Sequence, residues 1–131
     1  MDLTLTDEQR ALIDTVRKFV QKEVMPAASG YEHADEYPQA LVDRMKEMGL
    51  FGATIPEEYG GMGLDTVTYA LLVEEICRGW MSLSGVLNTH LIMAWVLRNY
   101  GTEEQKRRWL PHMASGEKRG GLALSEPDAG S

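Results

Sequence analysis

The chain has 131 residues, 44% of them hydrophobic and 25% charged, and a formal charge of −7 at pH 7. That suits one soluble domain around one core, while the acidic balance argues against a nucleic-acid binder, which would carry a basic face along the phosphates. Cys77 is the single cysteine, which excludes an internal disulfide.

Thr6-Asp7-Glu8-Gln9 opens the first helix as a capping box, with the Thr6 hydroxyl accepting from the Gln9 amide and the Gln9 side chain returning a bond. Asp7 and Glu8 suit the positive end of the helix dipole. Leu12, Val16, Phe19, Val20 and Val24 follow at helical spacing and predict one buried stripe. Pro26 is expected to end or kink this helix, with a short second segment reaching to Glu32. Tyr37-Pro38 opens the next helix with Pro38 as its first residue. Its apolar face is Leu41, Val42, Met45 and Met48, and Gly49 supplies a left-handed end. Leu50 to Thr54 is short and apolar. Residues 55–63 read as a loop in which Pro56 fixes one dihedral and three glycines, Gly60, Gly61 and Gly63, relax the backbone.

Asp65 is the expected cap of a helix running to Arg78, with Val67, Ala70, Leu71, Ile76 and Cys77 facing inward and Gly79 ending it. Leu83 to Asn99 is apolar on nearly all sides, which places it in the middle of a bundle or between domains. Asn88, His90, Arg98 and Asn99 make it too polar for a membrane span. Gly101 stops it. Thr102-Glu103-Glu104-Gln105 is a second capping box and starts a helix with Trp109, Leu110 and Met113 on its apolar side. Pro111 is expected to kink that helix and Gly116 to close it. After Gly120-Gly121 the pattern changes. Leu122-Ala123-Leu124-Ser125 reads as a strand opening a different structural region, and Glu126 to Ser131 is turn chemistry. The fold class is therefore all-α, an orthogonal or up-down bundle of about five or six helices with a short C-terminal strand-like stub. A chain that stops in a turn straight after opening a strand is expected to be a piece of a longer protein.

Little in this pattern supplies catalysis by itself. His33, His90 and His112 lack ligand-type spacing, so a metal site is not expected. Cys77 sits at an apolar helical position and reads as a small buried hydrophobe. Glu57 and Glu58 are neighbours on a polar loop, where side chains diverge, and read as solvated acids. Of Glu74 and Glu75 on an otherwise apolar helix, one should face solvent, while the other meets a basic partner or edges a pocket. Lys106-Arg107-Arg108, with Lys118-Arg119, reads as a solvated helix face, with contact to an anionic ligand or a partner subunit as the alternative. No basic region or signal-type apolar run marks Met1 to Thr4, so the location is cytoplasmic by default.

Three segments in this order resemble the acyl-CoA dehydrogenase family. They are Ile55-Pro56-Glu57-Glu58-Tyr59-Gly60-Gly61-Met62-Gly63; Tyr100-Gly101-Thr102-Glu103-Glu104-Gln105-Lys106 with Trp109-Leu110-Pro111 and Ala114-Ser115-Gly116-Glu117; and Ala123-Leu124-Ser125-Glu126-Pro127-Asp128-Ala129-Gly130-Ser131. The third is the most specific. The resemblance implies a subunit with a helical N-terminal domain (1–119 here), a middle β-domain begun at 120–131, and a C-terminal helical domain that carries the catalytic carboxylate. It implies FAD as cofactor, acyl-CoA as substrate, electron-transfer flavoprotein as electron acceptor and a homotetramer, without nucleic acid or membrane span, in fatty-acid metabolism. The mitochondrial matrix becomes the location if a presequence has been removed.

The resemblance also assigns residues. Leu122, Ala123, Leu124, Ser125, Gly130 and Ser131 fall in the stretch that lies against the flavin, with Ser125 where the family has Thr or Ser facing the isoalloxazine. A hydroxyl there donates to flavin N5 or O4; the local alternative is a serine capping a turn. Leu122 departs from an aromatic common at its position, which puts a stacking contact in doubt. Ser131 matches a serine at the CoA entrance. Leu87 and Leu91, with Met93 and Trp95, are expected walls of the acyl tunnel, the competing role being ordinary core packing. No catalytic residue falls within the chain, so the 131 residues alone are expected to be inactive. Two rivals stay open: an acyl-CoA oxidase or flavin monooxygenase on the same scaffold, and a non-catalytic helical binding module.

Overall fold

The computed structural model describes residues 5–129. They form six α-helices, α1 (Asp7–Phe19), α2 (Met25–Ala34), α3 (Gln39–Glu47), α4 (Thr66–Gly79), α5 (Met81–Tyr100) and α6 (Glu103–Ala114). No strand occurs among the described residues, and none of their helices is long and apolar enough to cross a membrane. α1 packs on α4, α4 on α5 and α5 on α6. The short turns Leu50–Gly52 and Glu57–Tyr59 close the bundle against α5 and α6.

α1 starts at the capping box, with the Gln9 amide donating to Thr6 Oγ1 at 3.1 Å and the Thr6 amide to Gln9 Oε1 at 3.0 Å. Its end differs from expectation. Pro26 neither stops the helix nor breaks it, because the backbone widens into a π turn at Val20–Val24 before the ring. The Met25 amide reaches back to the Val20 carbonyl, and the helix resumes with Pro26 in its first turn, where a missing N–H costs nothing. Val20 and Val24 of this turn are buried against α4. A Cβ on Gly79 would lie 2.5 Å from Val20 Cγ1, so glycine is what lets the two helices approach.

α4 is rotated from its expected face. Thr68, Leu72, Glu75 and Ile76 point inward, whereas Val67, Ala70 and Cys77 are exposed. The correction has a polar cause. Asp65 caps the helix through the Val67 and Thr68 amides at 2.9 and 3.1 Å, and Gln9 Nε2 donates to Thr68 Oγ1 at 2.7 Å. Glu75 receives Arg17 at 2.7 Å and Arg78 at 3.6 Å. Arg17 holds the Glu75 carboxyl below its ordinary value against the opposing effect of burial. These partners turn the helix so that Cys77 lies on the flank, its thiol donating to Ser84 Oγ at 3.2 Å. Glu74 stays exposed and pairs with Arg78 at 2.7 Å.

α5 contributes Leu83, Leu87, Leu91 and Ala94 to the core, while Ile92, Trp95 and Tyr100 remain exposed. The second capping box forms as expected, with Gln105 N to Thr102 Oγ1 at 3.2 Å and Thr102 N to Gln105 Oε1 at 2.8 Å. α6 runs through Pro111 without ending. Gly49 and Gly116 close α3 and α6 in left-handed conformations, φ 73° and 74°.

Candidate functional site

The chain leaves the bundle at the end of α6, and its path there is fixed residue by residue. A Cβ on Gly116 would lie 2.8 Å from Lys46 Cγ, so the turn is pressed against α3 and the Phe51 ring. The Lys118 amide returns to the His112 carbonyl at 3.0 Å, and His112 Nδ1 lies 2.7 Å from Glu117 Oε2. The Arg119 guanidinium sits 5.4 Å from the centre of the Tyr37 ring and donates to Tyr37 Oη. The Gly120 amide donates to His90 Nδ1 at 3.2 Å.

Beyond this anchorage the residues turn outward. Leu122 is 59% and Leu124 79% exposed, and Ala123 and Ser125 are exposed as well. No strand forms at Leu122–Ser125, a correction to the sequence expectation. A strand needs a neighbour, and no main-chain partner for these four residues occurs among the described residues. The following turn is closed by the Ala129 amide on the Glu126 carbonyl at 3.2 Å. Gly130 and Ser131 lie outside the described residues. Leu122 to Ser125 thus makes an apolar ledge with open hydrogen-bonding groups.

Beside the ledge, α5 presents Ser82, Gly85, Val86 and Thr89, spaced i, i+3, i+4 and i+7 along one face. Two connected clefts open on this face. One, of about 400 Å³, is lined by Gly85, Val86, Thr89 and Gly121; the other, of about 630 Å³, by Ser82, Trp80 and Tyr31. Tyr37 and Val86 border both. A Cβ on Gly85 would meet nothing within 4 Å, so the face is open space and not packing. The Tyr31 and Trp80 rings stack 5.9 Å apart at its far end, with Trp80 Nε1 donating to Glu32 Oε1 at 2.6 Å.

Leu87 and Leu91, expected as walls of an acyl tunnel, do not border these two clefts. Leu87 is fully buried in the core. Leu91, 3% exposed, forms part of a separate groove of about 500 Å³ with Tyr69, Asn88, Ile92 and Trp95. That groove lies roughly 120° around α5 from the small-residue face, by the 100° step per residue of a helix. Met93 is half-buried, and Trp95 is half exposed at the groove's rim. Tyr69 donates to Asn88 Oδ1 there, and burial pushes its phenol up to about 12. Ser82, Gly85 and Thr89, which line these clefts, do not stand out in the sequence because they sit within a helix that reads as apolar all round. The signal was present as a small-residue register at i, i+3 and i+7.

Among the remaining charged groups, Glu57 and Glu58 are exposed. Lys106 pairs with Glu103 at 2.8 Å, and Arg108 lies over the Trp109 ring at 4.9 Å. Arg107 between them is exposed.

A family model described as acyl-CoA dehydrogenase, N-terminal domain, matches residues 6–117. An acyl-CoA dehydrogenase of Bacillus subtilis (strain 168) is 40% identical over 128 residues, which is 97% of this chain and 34% of that protein. A solved glutaryl-coenzyme A dehydrogenase in complex with glutaryl-CoA superposes with a TM-score of 0.90 at 38% identity, covering 99% of this chain and 34% of that one. A Bacillus anthracis acyl-CoA dehydrogenase complexed with FAD gives a TM-score of 0.85 at 36% identity, over 96% of this chain and 22% of that one. The chain spans about a third of the length of the curated relatives it matches. With that family model over residues 6–117 and relatives at about 40% identity across almost the whole of its length, this chain belongs to the acyl-CoA dehydrogenase family, as its N-terminal domain.

Proposed function

We propose that residues 1–119 form the helical domain of an FAD-dependent acyl-CoA dehydrogenase and that 120–131 open its middle β-domain. The reaction removes hydrogen from the α and β carbons of an acyl-CoA thioester, FAD supplying the two-electron acceptor when bound. In this reading Leu122 to Ser125 is the face toward the flavin. Its residues fit the group: the side chains are apolar and exposed, and the main-chain groups have no partner among the described residues. Ser125 offers a hydroxyl for a polar ring edge, where a fixed donor stabilises developing negative charge. Gly130 and Ser131 would extend the same contact toward the CoA entrance.

The acyl chain is proposed to run along Ser82, Gly85, Val86 and Thr89, between α5 and the ledge. Leu87 backs this wall from inside the core, and Leu91 belongs to the other flank. The observation that carries the reading is the junction at Gly120 and Gly121, where an apolar ledge leaves the bundle directly against an open, small-residue helix face. A cleft walled by Gly85, Val86 and Thr89 on one side and bounded by Gly120 and Gly121 at the foot of the ledge leaves room for an extended aliphatic chain. The α-proton is taken by a carboxylate contributed from outside these residues. A homotetramer and electron-transfer flavoprotein as acceptor follow from the same family reading.

Two measurements test this. The 131-residue chain supplied with FAD and acyl-CoA is expected to show no turnover, and measurable oxidation would overturn the assignment of the base elsewhere. A longer polypeptide that begins with this chain is expected to purify yellow. Gly85→Leu in it should raise KM for acyl-CoA while leaving the flavin bound; a colourless protein, or an unchanged KM, would defeat the reading.

A further inference from the structure

We infer that His90 is a positioning residue that fixes, from inside the core, where the chain leaves the helical domain. The ring is 1% exposed in the middle of α5, and both its nitrogens meet main-chain groups. Nε2 lies 3.1 Å from the Phe51 carbonyl, and Nδ1 lies 3.2 Å from the Gly120 amide. A carbonyl only accepts and an amide only donates. One tautomer of the neutral ring satisfies both, with hydrogen on Nε2 and a lone pair on Nδ1. The imidazole is thereby a rigid spacer between the turn after α3 and the exit segment after α6, two stretches distant in sequence.

Three further features support a positioning role over simple filling of space. Burial lowers the affinity of the imidazole for a second proton, the nearby Arg119 charge acts in the same direction, and the Phe51 and Met113 carbonyls oppose it, so the ring is held toward its neutral form. Gly120 is pressed onto the bundle at the same point: a Cβ there would lie 2.5 Å from Met93 Cβ and 3.2 Å from Met113 Cε. Arg119, one residue earlier, is clasped by Tyr37 on the other side of the exit. The clasp ends abruptly. A Cβ on Gly121 would meet nothing within 4 Å, so direction is set at Gly120 and freedom returns one residue later. Since Leu122 follows immediately, His90 sets the origin of the ledge, and its importance for the flavin rests on the proposed function above.

His90→Asn and His90→Gln in the 131-residue chain separate positioning from packing. Asparagine places an acceptor near the site of Nδ1 and gives up the bond to Phe51. Glutamine places a donor near the site of Nε2 and gives up the bond to Gly120. Hydrogen exchange of the Gly120 amide is expected to stay within a few-fold of the original in His90→Asn and to accelerate about tenfold or more in His90→Gln, the scale of one lost hydrogen bond. Equal acceleration in both, or in neither, would reduce His90 to core packing. Should both variants fail to fold, the imidazole nitrogen resonances of the unaltered chain still decide: hydrogen on Nε2 alone supports the latch, and hydrogen on Nδ1 overturns it. Neither readout involves flavin, so a latch that holds in a chain whose longer form is colourless would stand apart from the functional reading.

Discussion

Two glycine-rich segments with family-like sequences behave in opposite ways. In residues 50–64 the chain folds back on itself, with the Met62 amide on the Gly52 carbonyl at 2.8 Å, Gly63 on Ile55 at 2.9 Å and Leu64 on Ala53 at 2.8 Å. Leu50, Phe51, Ala53 and Ile55 are buried beneath it. A Cβ on Gly61 would sit 2.0 Å from the Ile55 carbonyl oxygen, so its glycine permits a close approach. In residues 120–129 the apolar side chains face outward and the glycine at 121 touches nothing. The first motif completes its own bonds and serves the fold; in the second, Leu122 to Ser125 have no main-chain partner among the described residues, which suits the flavin contact proposed for them. A shared motif with a neighbouring family therefore says nothing about whether it is structural until its polar groups are accounted for.

The contrast predicts where stability resides. Phe51→Ala should cost about 3–5 kcal/mol, because the side chain is fully buried near the start of the first segment and its ring meets His90 edge-on at 5.1 Å. Gly61→Ala should cost about 3 kcal/mol, near the upper end for an overpacked site, since the obstacle is backbone and cannot rotate away. Urea midpoints measure both. A Gly61→Ala chain as stable as the original would mean that the loop is not the locked element described here.

A smaller effect is expected from pH. His90 binds a proton less readily in the folded chain than the ordinary 6.5 of an unfolded histidine. Below pH 6.5 the unfolded state takes up the proton first, so the stability His90 contributes is complete above that value and declines as pH falls from there toward the lower folded value. Between pH 7.5 and 5.5 the carboxylates held below their usual values, Glu75 among them, stay ionised, and they do not contribute to the difference. Urea midpoints at the two pH values should therefore fall for the original chain and fall less for His90→Asn. An equal decline in both would assign the pH dependence to other groups.

Much of the first segment's setting was legible beforehand. The capping boxes at Thr6 and Thr102 are local chemistry within four residues, and both form. The stripe Leu12, Val16, Phe19, Val20 and Val24 is helical arithmetic, and it is buried except at Leu12, which is half-buried. On α4 the burial of Ile76 and the split between solvent-facing Glu74 and Arg17-paired Glu75 were as expected, but Val67, Ala70 and Cys77 were misplaced because Thr68 and Glu75 occupy the inward face, and a polar residue turns inward only when a distant partner satisfies it. Those partners are Gln9 and Arg17, nearly sixty positions earlier. Cys77 was displaced from the core by the same rotation. His90 was weighed as a metal ligand and as a polar break in an apolar helix, since its two main-chain partners lie 39 and 30 positions away and appear only once the helices are assembled. The outward course of the ledge was not legible in the residues themselves, because Leu122 to Ser125 have no main-chain partner among the described residues.

Thr102→Ala tests the local end of this scale. It removes the hydroxyl that accepts the Gln105 amide and should cost about 1 kcal/mol, through loss of one cap on a helix that tertiary contacts also hold. Serine at the same position should restore most of it. A loss as large as that of Gly61→Ala would show that the first turn of α6 is as tightly locked as the glycine loop.

The smallest effect distinguishes the two segments most sharply. Gly121→Ala places a methyl group in open space, at a residue whose φ is not in the left-handed region. There is no contact to lose and no strained conformation to forbid the substitution. Alanine also narrows the conformations open to the unfolded chain, an effect worth roughly 0.4–1 kcal/mol where the folded backbone is fully ordered and less where it is exposed. The urea midpoint should thus stay level or rise slightly, opposite in sign to Gly61→Ala although the chemical change is identical. A marked loss would mean that residues 121–125 pack onto the bundle after all, and the ledge would then have to be redrawn as part of the helical core.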